Sequence, residues 1–215
     1  MELISKIISW VFLPLLTPLY ALLALFFLPS DQDFFFNFNC LYTIPNEAKW
    51  ALIYMFTIFG FVAPAVSILI MHRRKIISNI EIDNRTERSI PIIVQLVYCL
   101  MLYMLFTYKD EHAQLPTYIY ALPLSGAIVT ASFFLLNRWR KVSIHAAGTG
   151  IMTGFILAYA LDCIQFSFWL IPVSFLVSGA VMSARVFLHK HTLLEVIVGW
   201  FAGFLITFGV VFLYR

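Results

Sequence analysis

Arg185, His191 and Glu195 form an R-x5-H-x3-E pattern in the stretch Ala184–Gly203, ARVFLHKHTLLEVIVGWFAG, where a short basic connection turns into a long apolar run. An imidazole and a carboxylate four residues apart share one face of a helix. The carboxylate then fixes the ring tautomer and stabilises its charged form, as in nucleophile or base dyads. An arginine upstream adds a planar fork that matches phosphate oxygens. The chemistry this combination suits is phosphoryl transfer. Taken alone, the histidine–glutamate pair fits a simple helix-end contact equally well.

Two further groups strengthen the phosphate reading. Ser143 and His145 open the apolar run VSIHAAGTGIMTG. A helix N-terminus offers unpaired N–H groups and a favourable dipole to an anion. Gly150 and Gly154 in that run, and Gly199 and Gly203 in the last one, are spaced for close helix approach. In EIDNRTERSIP, Arg85 and Arg88 lie three apart and would share a face of a helical turn. They could clamp a phosphate or anchor their loop on a charged surface. Pro91 opens the following run, a position where proline is tolerated.

The elements that must position these residues are membrane spans. The chain has 215 residues, 62% hydrophobic and 12% charged, with a mean hydropathy of +0.91. Soluble domains carry about twice that charge fraction, roughly 25%. A net charge of +3 speaks against nucleic acid as a partner. Seven apolar stretches are long enough to cross a bilayer: Ile7–Ser30, Trp50–Met71, Ser89–Tyr108, Ala113–Asn137, Val142–Leu161, Cys163–Ala184 and Val196–Tyr214. Each is continuously apolar rather than alternating, so each is expected to be a helix. The predicted fold is an all-α polytopic membrane helix bundle, with residues 1–215 as one membrane domain. The first stretch is too long for a signal peptide and lacks a small-x-small cleavage site, so it is expected to be retained. Pro14, Pro18 and Pro64 are expected to kink the first two spans. The connection Asp31–Lys49, with Phe34, Phe35, Phe36 and Phe38, is expected to lie on the bilayer surface as a loop, lid or re-entrant segment.

Seven spans put the N-terminus on the same side as the connections His72–Arg88, Arg138–Lys141 and Arg185–Glu195. That side holds eleven of the fourteen Lys and Arg residues. Without Arg85, Arg88 and Arg185 the imbalance is still eight to three. The positive-inside rule makes this face cytoplasmic. Cys40, Cys99 and Cys163 show no metal or redox spacing and read as ordinary thiols. Nothing in the chain fixes an oligomeric state.

The order and character of the three polar groups resemble the phosphatidic acid phosphatase type 2 family, the membrane branch of the acid phosphatase and vanadium haloperoxidase superfamily. Its pattern is K-x6-R-P, then P-S-G-H, then S-R-x5-H-x3-D. The third motif is matched in spacing by Arg185, His191 and Glu195, with Gly199 and Gly203 continuing its helix. Ser143 and His145 match the second, where Val142 and Ile144 replace proline and glycine. Arg88 matches the arginine of the first, but Glu81 stands seven residues before it. Ala184 replaces the serine of the third motif, and glutamate replaces its aspartate. The resemblance covers roughly Arg85 to Gly203, a six-helix phosphatase core of about residues 50–214, with the 7–30 span as an addition.

The resemblance implies an integral membrane lipid phosphatase that needs no cofactor or metal. His191 would accept the phosphoryl group, Glu195 would orient it, and His145 would protonate the leaving oxygen. Arg88 and Arg185, helped by Ser143 and Arg85, would hold the phosphate oxygens, with Ser183 available in place of the motif serine. The substrate would be phosphatidate, phosphatidylglycerophosphate or a polyprenyl phosphate, in a bacterial inner membrane. By the resemblance the site would work at the outer face, against the charge count. Three alternatives stand beside this reading. A non-enzymatic lipid-phosphate binding or transport protein would keep the fold without turnover. A polyprenyl transferase would need clustered aspartates for Mg²⁺, and only Asp31 and Asp33 are close. A zinc site would draw on His189, His191 and Glu195.

Overall fold

The computed structural model describes residues 1–32, 40–82, 84–109 and 115–214. Phe34, Phe35, Phe36, Phe38 and Asp33 lie outside the described residues, and with them the expected aromatic surface segment. In chain order the helices are α1 (Glu2–Val11), α2 (Thr17–Phe27), α3 (Asn46–Thr57), α4 (Ala63–Arg73), α5 (Ser89–Lys109), α6 (Thr117–Leu136), α7 (Ile144–Ala160), α8 (Leu170–Phe187) and α9 (Leu193–Leu213). A two-strand ribbon, β1 (Asp31–Gln32) and β2 (Cys163–Gln165), pairs antiparallel with Gln32 opposite Cys163. Everything else regular among the described residues is helical.

Five helical stretches are long and apolar enough to cross a membrane: Asn46–Arg73, Arg85–Tyr108, Thr117–Leu136, Leu170–Phe187 and Leu193–Leu213. That is compatible with an integral, multi-pass membrane helix bundle. The first of the five runs from α3 into α4 through a π-helical turn at Ile58–Val62, just before Pro64. A π turn absorbs the backbone mismatch that a proline imposes.

Three of the expected spans differ. The stretch Val142–Leu161 forms α7, whose 17 residues leave it among the shorter apolar helices. The stretch Ile7–Ser30 is two helices, α1 and α2, broken over Phe12–Leu16. Pro14 and Pro18 each lack an N–H, and the break is held by packing: α1 lies on α8 and α2 on α7. α1 turns Ser5 and Ser9 inward and leaves Leu3, Ile4, Ile7 and Trp10 exposed. The sixth stretch starts at Leu170 rather than Cys163, because Cys163–Gln165 joins the ribbon instead.

α7 is the axis of the bundle. All of Ala146–Ala160 except Leu157 is buried. Its contact with α9 is the most extensive of any pair of elements described. The reason is glycine. A Cβ on Gly154 would sit 2.6 Å from the Phe204 carbonyl oxygen, and one on Gly199 would sit 2.5 Å from that of Ser143. Gly150 meets the Trp200 carbonyl and Gly203 the Ala147 carbonyl in the same way. In lipid, such close approach replaces the hydrophobic effect as the driving force for helix association. On the other side of α7, Gly148 receives the broken turn at Pro14.

Gly199→Leu is therefore expected to lower the detergent melting temperature, at about 1–3 kcal/mol or more of overpacking. Gly209→Ala in the same helix has nothing within 4 Å of the new Cβ and should be neutral or stabilising by about 0.5–1 kcal/mol. Equal melting temperatures for the two variants would show that the α7–α9 contact is not what holds the bundle.

Candidate active site

The three polar connections meet at one end of α7. Ser143 caps that helix: it is fully buried, and its Oγ accepts from Ala146 N. Its backbone N donates to the Glu195 carbonyl at 3.2 Å, which ties the start of α7 to the first turn of α9. Arg88, 5% exposed, donates from Nε to the Ile82 carbonyl at 2.8 Å and from a terminal nitrogen to the Val142 carbonyl at 3.1 Å. Ile82 adopts φ 50°, a left-handed conformation that is strained for a β-branched residue. That strain presents its carbonyl to Arg88. Lys141 Nζ donates to the Lys190 carbonyl at 3.0 Å, and Lys190 pairs with Glu81 at 3.1 Å. The connections before α5, α7 and α9 are thus laced together through main-chain atoms.

The α8–α9 connection turns back through His189, at φ 53°, and carries His191 inward. His191 is 7% exposed. Its Nδ1 lies 2.8 Å from Glu195 Oε2, so the neutral ring donates to the carboxylate from Nδ1 and keeps a lone pair on Nε2. Glu195 does double duty. Oε2 also accepts from Thr192 N, and Thr192 Oγ1 accepts from Glu195 N, forming a capping box. The helix-end contact and the histidine dyad are therefore one arrangement.

Arg88, His145, Arg185 and His191 line one cavity of about 440 Å³. Binding sites for small molecules fall in the range of about 300–1,000 Å³. The remaining lining is overwhelmingly apolar and comes from α1, α2, α4, α5, α6 and α7. Along α5 it runs from Arg88 through Pro91, Gln95 and Tyr98 to Leu102, about 21 Å at 1.5 Å per residue. The cavity has a polar head, in which Arg88 and Arg185 outnumber Glu81, and a long apolar body. Arg185 is 4% exposed in the last turn of α8. Buried guanidinium groups facing a cavity favour an anion in it.

Burial pushes the His191 imidazole down to about 4. Glu195 opposes that shift, while Lys141, Arg88 and Arg185 reinforce it. At neutral pH the His191 ring is accordingly uncharged.

The structure separates the remaining candidates. Arg85 is exposed and donates to the Trp139 carbonyl at 2.9 Å, while its own carbonyl accepts from Asn137 Nδ2. It staples two connections and does not line the cavity. The Ser143 hydroxyl accepts the cap bond from Ala146 N, and Ser143 does not line the cavity. Ser183 is exposed, on the far side of α8 from buried Ala184 and Arg185. His189 is exposed while His191 is buried, so the two do not converge as zinc ligands would. Three contributors went unread in the sequence. Thr192 completes a T-x-x-E capping signature visible at Thr192–Glu195. Lys141 lies two residues before the Ser143 cap and acts electrostatically on His191. Ser9, buried on α1, lines the same cavity as His145, a neighbour with no signal in the chain.

No protein-family model, curated protein or solved structure matches this chain.

Histidine-labelled protein in detergent micelles should show His191 titrating near pH 4 by NMR. Lys141→Ala should raise that midpoint by removing a cation. Glu195→Gln should lower it by removing the anion. A midpoint at the ordinary histidine value of about 6.5 would mean that His191 is neither buried nor set among cations.

Proposed function

We propose that the chain is a seven-span integral membrane lipid phosphatase of the phosphatidic acid phosphatase type 2 kind. The observation that carries this reading is the convergence of Arg88, His145, Arg185 and His191 on the head of one long apolar cavity, with Glu195 behind His191. The phosphate sits between Arg88 and Arg185, and the lipid chain follows the groove along α5.

His191 Nε2 attacks phosphorus as the bond to the leaving oxygen breaks, giving a phosphohistidine. Glu195 accepts the Nδ1 proton bond and stabilises the charge that develops on the ring. His145 takes up the proton that a monoanionic phosphate brings and gives it to the departing lipid oxygen. Water then attacks phosphorus; His145 takes the water proton, and inorganic phosphate leaves with His191 restored. Phosphoryl transfer spreads charge over the equatorial oxygens, so positioning and electrostatic stabilisation supply most of the rate. Here two buried guanidinium groups meet that need.

The basic excess supports a cytoplasmic face for this end of the bundle; a bacterial inner membrane follows from the family resemblance alone. The substrate class is a lipid phosphomonoester or diphosphate: phosphatidate, phosphatidylglycerophosphate or a polyprenyl phosphate.

Purified protein in detergent should release phosphate from at least one of these lipids in the presence of a chelator. His191→Ala should abolish turnover, by more than about 10⁴-fold. His145→Ala should cost about 10²–10⁴-fold as a lost general acid, and Arg185→Ala about 10²–10³-fold as a lost oxyanion donor. In wild type, kcat/KM should fall as pH drops through about 4, where protonation removes the His191 lone pair. Full activity in His191→Ala would sink the mechanism. Lipid-phosphate binding without turnover would instead identify a binding or transport protein.

A further inference from the structure

The apolar body of the cavity has a floor. Along α5 the lining recurs on one stripe, at Arg88, Ile92, Gln95, Cys99 and Leu102, a spacing of three and four residues that keeps to one helix face. The next position on that stripe is Phe106, which does not line the cavity. Phe106 is 2% exposed, and its ring packs on that of Phe56 in α3 with centroids 5.4 Å apart. Phe56, Leu102 and Leu122 of α6 do line the cavity, and all three are buried in one cluster with Phe106. The polar end differs. Ile80 and Glu81 also line the cavity and are exposed. They immediately precede Ile82, whose carbonyl accepts from Arg88. The cavity is therefore reached from its polar head and stopped at Phe56, Leu102 and Leu122.

Length and volume decide what fits. The stripe from Arg88 to Leu102 covers about 21 Å at 1.5 Å per residue. An extended alkyl chain advances about 1.25 Å per carbon, given C–C bonds of about 1.5 Å. The cavity thus spans at most about 16 carbons. A volume of about 440 Å³ over that length leaves a mean cross-section of about 20 Å². Carbon atoms in contact stand about 4 Å apart, so this is room for one alkyl chain and not for two abreast.

We infer that the cavity is a chain ruler, which takes a single unbranched alkyl chain of up to about 16 carbons and whose limit is set by Phe56, Leu102 and Leu122. The inference rests on the polar head as the phosphate site, and it narrows the substrate class of that site. A lipid phosphate with a chain of ordinary acyl length fits. A polyprenyl chain, longer and branched along its length, does not. The second chain of a two-chain lipid stays outside, in the bilayer.

Wild-type protein in detergent micelles should be titrated with alkylphosphonates, whose C–P bond does not hydrolyse, in competition with radiolabelled dodecylphosphonate. The dodecyl, tetradecyl and hexadecyl compounds should compete, and eicosylphosphonate should bind about tenfold or more weakly, because its chain overpacks the floor. Leu102→Ala should recover eicosylphosphonate binding by opening the floor. Leu122→Phe should weaken hexadecylphosphonate and leave dodecylphosphonate unchanged. Equal binding of every length in wild type, or of none, would overturn the proposal, and that profile decides it even where a floor variant does not fold. A limit that both folded variants leave in place would overturn it as well. Phosphate release from lipids tests the phosphatase reading separately. A length limit without turnover keeps the ruler and removes the phosphatase, and turnover without a length limit does the reverse.

Discussion

The backbones of α7 and α9 touch at Gly150, Gly154, Gly199 and Gly203, and this contact fixes the register between two helices whose starts carry candidate site residues. With side chains at those positions the helices would stand apart. The Ser143 amide could not then reach the Glu195 carbonyl. That single main-chain bond sets the His145 turn beside the His191 turn. Arg88 adds a second brace through the Val142 carbonyl, and Lys141 a third through the Lys190 carbonyl. The candidate catalytic groups are held by peptide carbonyls on rigid helix ends, which is how sub-ångström positioning is maintained.

The cluster is cationic and largely withdrawn from water. Arg88 and Arg185 are each about one-twentieth exposed, and burial beside them keeps His191 neutral. A group that must attack phosphorus needs its lone pair, and a developing negative charge needs fixed positive partners. One environment meets both needs. The apolar body of the cavity extends the logic, since a lipid can leave its chain in a hydrocarbon-like groove while its phosphate reaches the buried cations.

Much of this was readable in the chain. The R-x5-H-x3-E spacing, the serine–histidine pair and the four glycines all point to what the structure brings together, because helix periodicity converts spacing directly into a shared face. The apolar stretches likewise match helices wherever charge and proline punctuate them. What stayed illegible depends on partners far away in sequence. Pro14 and Pro18 signal a disturbance, but a kink becomes a break only because α1 lies on α8 and α2 on α7. Arg85 and Ser143 have the right chemistry for phosphate, yet neither lines the cavity: Arg85 reaches the Trp139 carbonyl and Ser143 caps α7. The ribbon that takes Cys163 out of the sixth stretch needs Asp31 and Gln32 as its other strand.

The central claim is a covalent one, that His191 carries the phosphoryl group. It is tested most directly by rapidly mixing the purified protein with a phosphorylated lipid, quenching in alkali, where phosphohistidine survives, and mapping the adduct by mass spectrometry. The account predicts a phosphoryl group on the peptide containing His191 in wild type, enriched in His145→Ala and absent in His191→Ala. Turnover with no adduct at His191, or an adduct on another residue, would contradict it.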